Sequence, residues 1–249
     1  MSEFLADLQC RILKWIAPGE RDQGSFYEGK SKLVVLLGEE ILTRIRERIV
    51  IDFGCGEGLE ALDLAGRGAR RVIGIDIRED VLSGARQKAI SAGLEGVCQF
   101  ATSTNERADI IVSLDAFEHF GDPAGVLEIM GRLLLPNGEV IASFGPTWYH
   151  PLGGHLFSVF PWAHVLFSEQ ALMRWRSGLR SDGATRFSEV AGGLNRMTIR
   201  RFEKLVEASP FRIVRMELVP IRRLRYVHNR WTREFTTAIV RCRLAKRVE

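Results

Sequence analysis

A chain of 249 residues with a net charge of +4 and 46% apolar side chains has the make-up of a globular protein, long enough for one α/β domain with an insertion or for two small domains. No apolar run is long enough to span a bilayer, and the start lacks the basic, hydrophobic and small-residue series of a secretory leader, so a cytoplasmic protein is expected. Cys10, Cys55, Cys98 and Cys242 lie far apart with no C-x-x-C pair, which argues against a zinc site or a disulfide framework.

Phe4, Leu5, Leu8, Ile12, Trp15 and Ile16 recur at three- and four-residue steps and predict an amphipathic helix that Pro18 and Gly19 stop; its apolar stripe must be covered. A second helix is expected from Leu33 to Arg46, leading into a strand at Ile49 to Phe53. The chain then enters Gly54-Cys55-Gly56-Glu57-Gly58, a turn whose three glycines carry no Cβ to block a ligand, and a helix follows near Leu59. The next strand, Val72 to Asp76, ends in a carboxylate placed to accept hydrogen bonds from a ribose diol. A dinucleotide fingerprint needs its third glycine where Leu59 stands. Asp52, one residue before the end of the first strand, would repel a pyrophosphate and suit an ammonium group. Both features favour S-adenosylmethionine over NAD.

Asp52 to Gly58 together with Gly74-Ile75-Asp76 resembles motifs I and II of the class I S-adenosylmethionine-dependent methyltransferases. Further strands are expected at Val97 to Phe100, Asp109 to Leu114 and Glu139 to Phe144, alternating with helical segments as in a parallel sheet. The helical Leu127 to Leu135 closes on Pro136-Asn137-Gly138 before the fifth strand, so the resemblance spans about Ile49 to Phe144. It implies an α/β fold: a doubly wound, seven-stranded, mostly parallel sheet with helices on both faces and an antiparallel last strand. The expected division is an N-terminal helical cap (1–46), a Rossmann-like cofactor-binding core (47–145), an insertion after the fifth strand (146–197) and a C-terminal completion of the sheet (198–249). In such folds an N-terminal helix commonly covers the cofactor cleft, so the first helix is read as a lid or as docked on the core. The insertion is dense in aromatics and turn formers, from Trp148 to His164. Thr198 then caps a helix from Ile199 to Ala208, and strands at Phe211 to Leu218 and Thr236 to Leu244 follow, joined by a hairpin-like connection.

The resemblance implies that Asp52, Gly54, Cys55, Gly56 and Gly58 approach the methionine part of the cofactor, that Asp76 holds the ribose and that Ile77 packs on the adenine. Many relatives place an acid shortly after the third strand. Here Ala101-Thr102-Ser103 stands there, leaving adenine recognition to a hydroxyl such as Thr102, a backbone carbonyl or Asn105. Leu114 and Asp115 leave the fourth strand at its carboxyl end, where open α/β sheets bind ligands; Asp115 serves the substrate or caps a helix. His119, in an E-H pair, reads as a positioning or packing residue. His155 or His150 is the candidate base for a hydroxyl proton, since an unperturbed imidazole titrates near neutrality and the surrounding aromatics would exclude water. The insertion histidines, His164 included, would also suit a metal, but no metal motif matches their spacing and none is assigned; shaping a rigid loop is the third use.

The expected activity is methyl transfer to an oxygen or nitrogen of a small organic acceptor. The segment Arg222 to Arg247 is strongly basic, with Glu234 its single acid, which keeps open an RNA methyltransferase or an anionic membrane surface. With no aromatic ladder or nucleic-acid motif beside these arginines a solvated face is favoured, nucleic acid is disfavoured and a membrane is not required. A non-catalytic S-adenosylmethionine-binding subunit is the remaining alternative, and oligomeric state cannot be read.

Overall fold

The computed structural model describes residues 3–19, 31–190 and 193–247. In chain order the helices are α1 (Glu3–Ile16), α2 (Lys32–Leu37), α3 (Glu40–Ile45), α4 (Leu59–Gly66), α5 (Glu79–Ser91), α6 (Pro123–Leu133), α7 (Ala163–Leu166), α8 (Glu169–Ser177), α9 (Ile199–Glu207) and α10 (Arg233–Thr236). The strands are β1 (Ile49–Phe53), β2 (Arg71–Ile75), β3 (Cys98–Ala101), β4 (Ala108–Leu114), β5 (Leu134–Phe144), β6 (Phe211–Pro220) and β7 (Thr237–Lys246).

The seven strands form one sheet in the order β3-β2-β1-β4-β5-β7-β6. The first five are parallel, and β7 runs antiparallel to both of its neighbours. Strand order reverses between β1 and β4, so a crevice opens there at the carboxyl ends. Period-two alternation divides the core between the two faces. Val50, Val72, Ile110 and Val112 pack beneath α2 to α5, while Ile51, Ile73, Ile111 and Val140 pack with α6 and α9. Asp122 caps α6 by accepting from the Gly125 N–H at 3.0 Å, with Pro123 at the first turn, and Thr198 caps α9 through the Arg201 N–H.

Three sequence expectations need correction. The helix expected from Leu33 to Arg46 is two short helices, broken at Gly38, whose φ of +81° lies in the left-handed region that ends helices. The connection between β6 and β7 does join two adjacent antiparallel strands, but it is longer than a turn and holds a 3-10 segment at Arg222–Val227 and then α10. Helix α1 buries the opposite side from the stripe its periodicity suggests. Ala6, Cys10 and Leu13 pack against α8 and Phe157 of the insertion, whereas Phe4 and Trp15 remain 79% and 85% exposed. Small residues on the inward side allow close approach, and the Trp175 indole donates to the Ala17 carbonyl at 2.8 Å.

Candidate functional site

The turn after β1 is held by the end of β2. The Gly54 and Cys55 N–H groups both donate to the Ile75 carbonyl, at 2.8 and 3.0 Å, and the Gly56 N–H donates to Asp76 Oδ2 at 3.0 Å. The three glycines have different reasons for lacking a Cβ. At Gly54 it would meet Ala116 at 2.8 Å, and at Gly58 it would fall 2.5 Å from the Phe100 ring and 2.8 Å from Ala85. Only at Gly56 is the space open, with the Arg78 guanidinium 3.7 Å away. The expectation that all three clear room for a ligand is therefore narrowed to Gly56, since the other two make room for packing. A Cβ at Gly74 would meet the same Phe100 ring at 2.5 Å, so this ring is wedged between the turn and β2. Gly58→Ala combines a left-handed φ of +78° with overpacking; a destabilisation of about 2–5 kcal/mol is expected, read as a fall of roughly 5–15 °C in thermal midpoint.

Asp76 is 9% exposed and binds Arg78 through its backbone N–H and its guanidinium, at 3.0 to 3.2 Å. Burial pushes the Asp76 carboxyl up, but the Arg78 hydrogen bonds outweigh it and hold the group below the usual carboxylate range. The neighbouring Ile77 is 90% exposed, an apolar side chain beside a polar crevice. Thr102 is exposed just past the end of β3. The Cys55 side chain packs into the core beneath the turn, where burial pushes its thiol up, and the thiol donates to the Gly56 carbonyl at 3.8 Å.

Asp52 is 2% exposed, and its Oδ2 has no hydrogen-bond partner among the described residues. Burial, reinforced by Glu60, pushes its carboxyl up to about 8, with Lys32 opposing. Lys32 Nζ lies 3.1 Å from Asp115 Oδ2 and 3.7 Å from Glu60. Nothing in the spacing of the sequence pointed to Lys32, which precedes the glycine turn on a separate helix. Asp115, at φ +48°, donates its N–H to Ser143 and does not cap a helix; the next one begins at Pro123 under Asp122. Leu114 is buried at the end of β4, paired with Ser143.

Beyond Asp115 the chain turns and brings Glu118 and His119 against His155 of the insertion. One ligand atom of each lies within 4.8 Å of the others, a spacing that also suits a divalent cation, although no metal was assigned from the sequence. Glu118 is 3% exposed; its Oε1 accepts from the Gly145 N–H at 3.1 Å, and its Oε2 has no hydrogen-bond partner among the described residues. Burial and Asp115 push its carboxyl up to about 8. Burial, with His119 and the other two insertion histidines adding, pushes His155 down to about 4, so its imidazole is neutral at pH 7. The His119 Nδ1–H donates to the Gly193 carbonyl at 2.7 Å, which leaves its Nε2 as the acceptor.

The other two insertion histidines are committed to the loop. His150 Nδ1 accepts the Leu152 N–H at 2.9 Å, which uses the lone pair a base would need. His164 Nε2–H donates to the Trp148 carbonyl at 2.6 Å, while its Nδ1 bonds the Ser158 hydroxyl, which in turn accepts the Gly154 N–H. Of the two candidate bases, the geometry leaves His155.

The residues fit S-adenosylmethionine on two observations. The unsatisfied buried carboxylate oxygen of Asp52 is suited to an ammonium group, and Gly56 leaves open the space beside Asp76 and the exposed Ile77. An ammonium partner requires Asp52 ionised, so at pH 7 binding is expected to expel close to one proton. Calorimetry in buffers of different ionisation enthalpy checks this, and an affinity that does not rise from pH 6 to pH 8 would refute the pairing.

Comparison with known proteins places these elements among relatives. Residues 46–148 match the family model described as a methyltransferase domain. Ubiquinone biosynthesis O-methyltransferases are also similar to part of the chain: that of Aeromonas salmonicida is 35% identical over 100 residues, covering 38% of this chain and 42% of that protein. That of Stutzerimonas stutzeri is 38% identical over 100 residues, covering 38% and 43%. The match thus spans less than half the length of these relatives. Among solved structures, an S-adenosylmethionine-dependent methyltransferase from Mesorhizobium loti aligns with a TM-score of 0.52 at 16% identity, over 84% of this chain and 96% of that one. The cyclase SpnF aligns at 0.58 and 14% identity, over 99% and 96%. These likenesses establish the fold.

Proposed function

We propose that this chain, which matches a methyltransferase-domain model over residues 46–148, transfers the methyl group of S-adenosylmethionine to a hydroxyl oxygen of a small organic acceptor. The observation that carries the reading is the convergence, at one sheet edge, of the Asp52–Gly56–Asp76 cradle and the Glu118–His119–His155 cluster, linked through Lys32 and Asp115. The cofactor, when bound, supplies a methyl activated by the sulfonium for in-line displacement. Asp76 would hold its ribose, Ile77 its adenine, Asp52 its ammonium and Lys32 its carboxylate.

The remaining work falls to the acceptor side. His155, neutral at pH 7 and shielded by the insertion, takes the hydroxyl proton, with a carboxyl oxygen of Glu118 within 4.8 Å of the imidazole. The O-methyltransferase names of the relatives support oxygen rather than nitrogen as the acceptor atom. Fold alone does not decide the chemistry, as the cyclase among the structural neighbours illustrates.

The test is a screen of hydroxylated aromatic acceptors by formation of S-adenosylhomocysteine. Turnover with phenols or catechols supports the reading. Cofactor binding without turnover on any hydroxyl acceptor would instead support a non-catalytic subunit. Repeating the assay after chelation separates two uses of the cluster: retained activity supports the base, and loss restored by a divalent cation supports a metal held by Glu118, His119 and His155.

A further inference from the structure

The connection between β6 and β7 is built unlike a solvated loop. Tyr226 is 83% exposed, Trp231 77%, Val227 53% and Phe235 46%. Interleaved with them are Arg222, Arg223, Arg225 and Arg230, all exposed and none with a carboxylate in ion-pair reach among the described residues. Two of the arginines lie over the aromatic rings instead, Arg225 on Tyr226 and Arg230 on Trp231, each at 4.6 Å. The segment's acid, Glu234, is turned inward and accepts the Ile199 and Arg200 N–H groups at the start of α9.

Register fixes where this patch lies. Val240 of β7 pairs with Phe144 of β5 on one side and Leu218 of β6 on the other. The chain therefore leaves β5 and β6, and enters β7, at one edge of the sheet. Leu114 pairs with Ser143, so this is also the edge of the cofactor crevice and the Glu118 cluster. The patch continues into the insertion. The Phe235 ring lies 5.3 Å from Tyr149, whose carbonyl accepts from the Trp162 indole, and α7 then presents Val165 and Leu166 at 43% and 66% exposure.

We propose that the segment 222–235 docks this edge onto an anionic phospholipid bilayer, with the four arginines on lipid phosphates and Tyr226 and Trp231 at headgroup depth. Amphipathic aromatic rings favour that depth, and a negative leaflet attracts clustered arginines. Single-stranded RNA would use the arginines and the rings but has no use for the aliphatic continuation through Val227, Val165 and Leu166. Docked in this way, the site meets acceptors whose apolar tails are dissolved in the membrane. That last clause rests on the proposed methyl transfer; the docking does not.

The experiment is co-sedimentation of the full chain with vesicles of phosphatidylcholine alone or with about a third phosphatidylglycerol. Binding to the anionic vesicles alone is expected, weakening as salt rises. Replacing Arg222, Arg223, Arg225 and Arg230 together by serine should weaken it roughly 10²- to 10³-fold, and Trp231→Ser about tenfold. Both variants should keep the wild-type thermal midpoint and cofactor affinity, since none of these residues packs in the core. No binding to anionic vesicles, equal binding to neutral ones, or an undiminished arginine variant overturns the proposal. So does tight binding of a single-stranded RNA oligonucleotide by a chain that ignores vesicles.

Discussion

His155→Ala is expected to slow methyl transfer by roughly 10²- to 10⁴-fold while leaving S-adenosylmethionine affinity within about twofold of wild type. The separation follows from position. His155 lies on the insertion against Glu118 and His119, not on the turn or the strand ends that form the cradle. Its imidazole is held near a pKa of about 4, so the acid limb of the pH–rate profile should fall well below that of an ordinary histidine and should vanish in the variant. Glu118→Gln keeps the bond from the Gly145 N–H and removes the titrating proton, and an intermediate loss is expected. Stopped-flow or single-turnover measurement of the chemical step decides the matter. A His155→Ala rate equal to wild type would remove it as the base. His150→Ala should instead cost stability, because its Nδ1 anchors the Leu152 N–H.

Asp76→Ala is expected to weaken cofactor binding roughly 30- to 300-fold, the range for losing hydrogen bonds to a charged acceptor. Two effects combine there. The ribose would lose its acceptor, and the Gly56 N–H would lose the 3.0 Å bond that fixes the turn. Asp76→Asn retains an oxygen for Gly56 and should therefore bind more tightly than the alanine variant. Arg78 already occupies both carboxylate oxygens, so Arg78→Ala gives the matching control: affinity unchanged or improved, with the Asp76 carboxyl moving back up. Calorimetric titration measures all three. Unchanged affinity in Asp76→Ala would count against the cradle itself.

The fold was legible because its signals are local and repeated. Short apolar strands such as Val50-Ile51 and Val72-Ile73 alternate with helical segments, and the glycine turn marks where the first strand must end. Helix breaks were less visible: the apolar pattern runs through Gly38 unbroken, and only its positive φ divides α2 from α3. In α1 the large apolar residues drew the eye, yet Ala6 and Cys10 face inward because helix-on-helix packing rewards small side chains. Asp52 and Asp76 could be named from the chain because they flank strand ends. The neighbourhood of Glu118, His119 and His155 could not, since an insertion folds back to create it and no spacing records that contact. Lys32 is similar, meeting Asp115 only once α2 settles against α4.

The ring of Phe100 has a practical consequence for anyone screening variants of this protein. It fills the seam between the glycine turn and β2, so that a Cβ at either Gly58 or Gly74 would lie 2.5 Å from it. Lesions at those positions will be scored as ligand-binding defects although the injury is steric. A rescue screen at low temperature would sort them from true contact residues, because a fold weakened by crowding regains its folded population on cooling whereas a missing acceptor for the sugar stays missing.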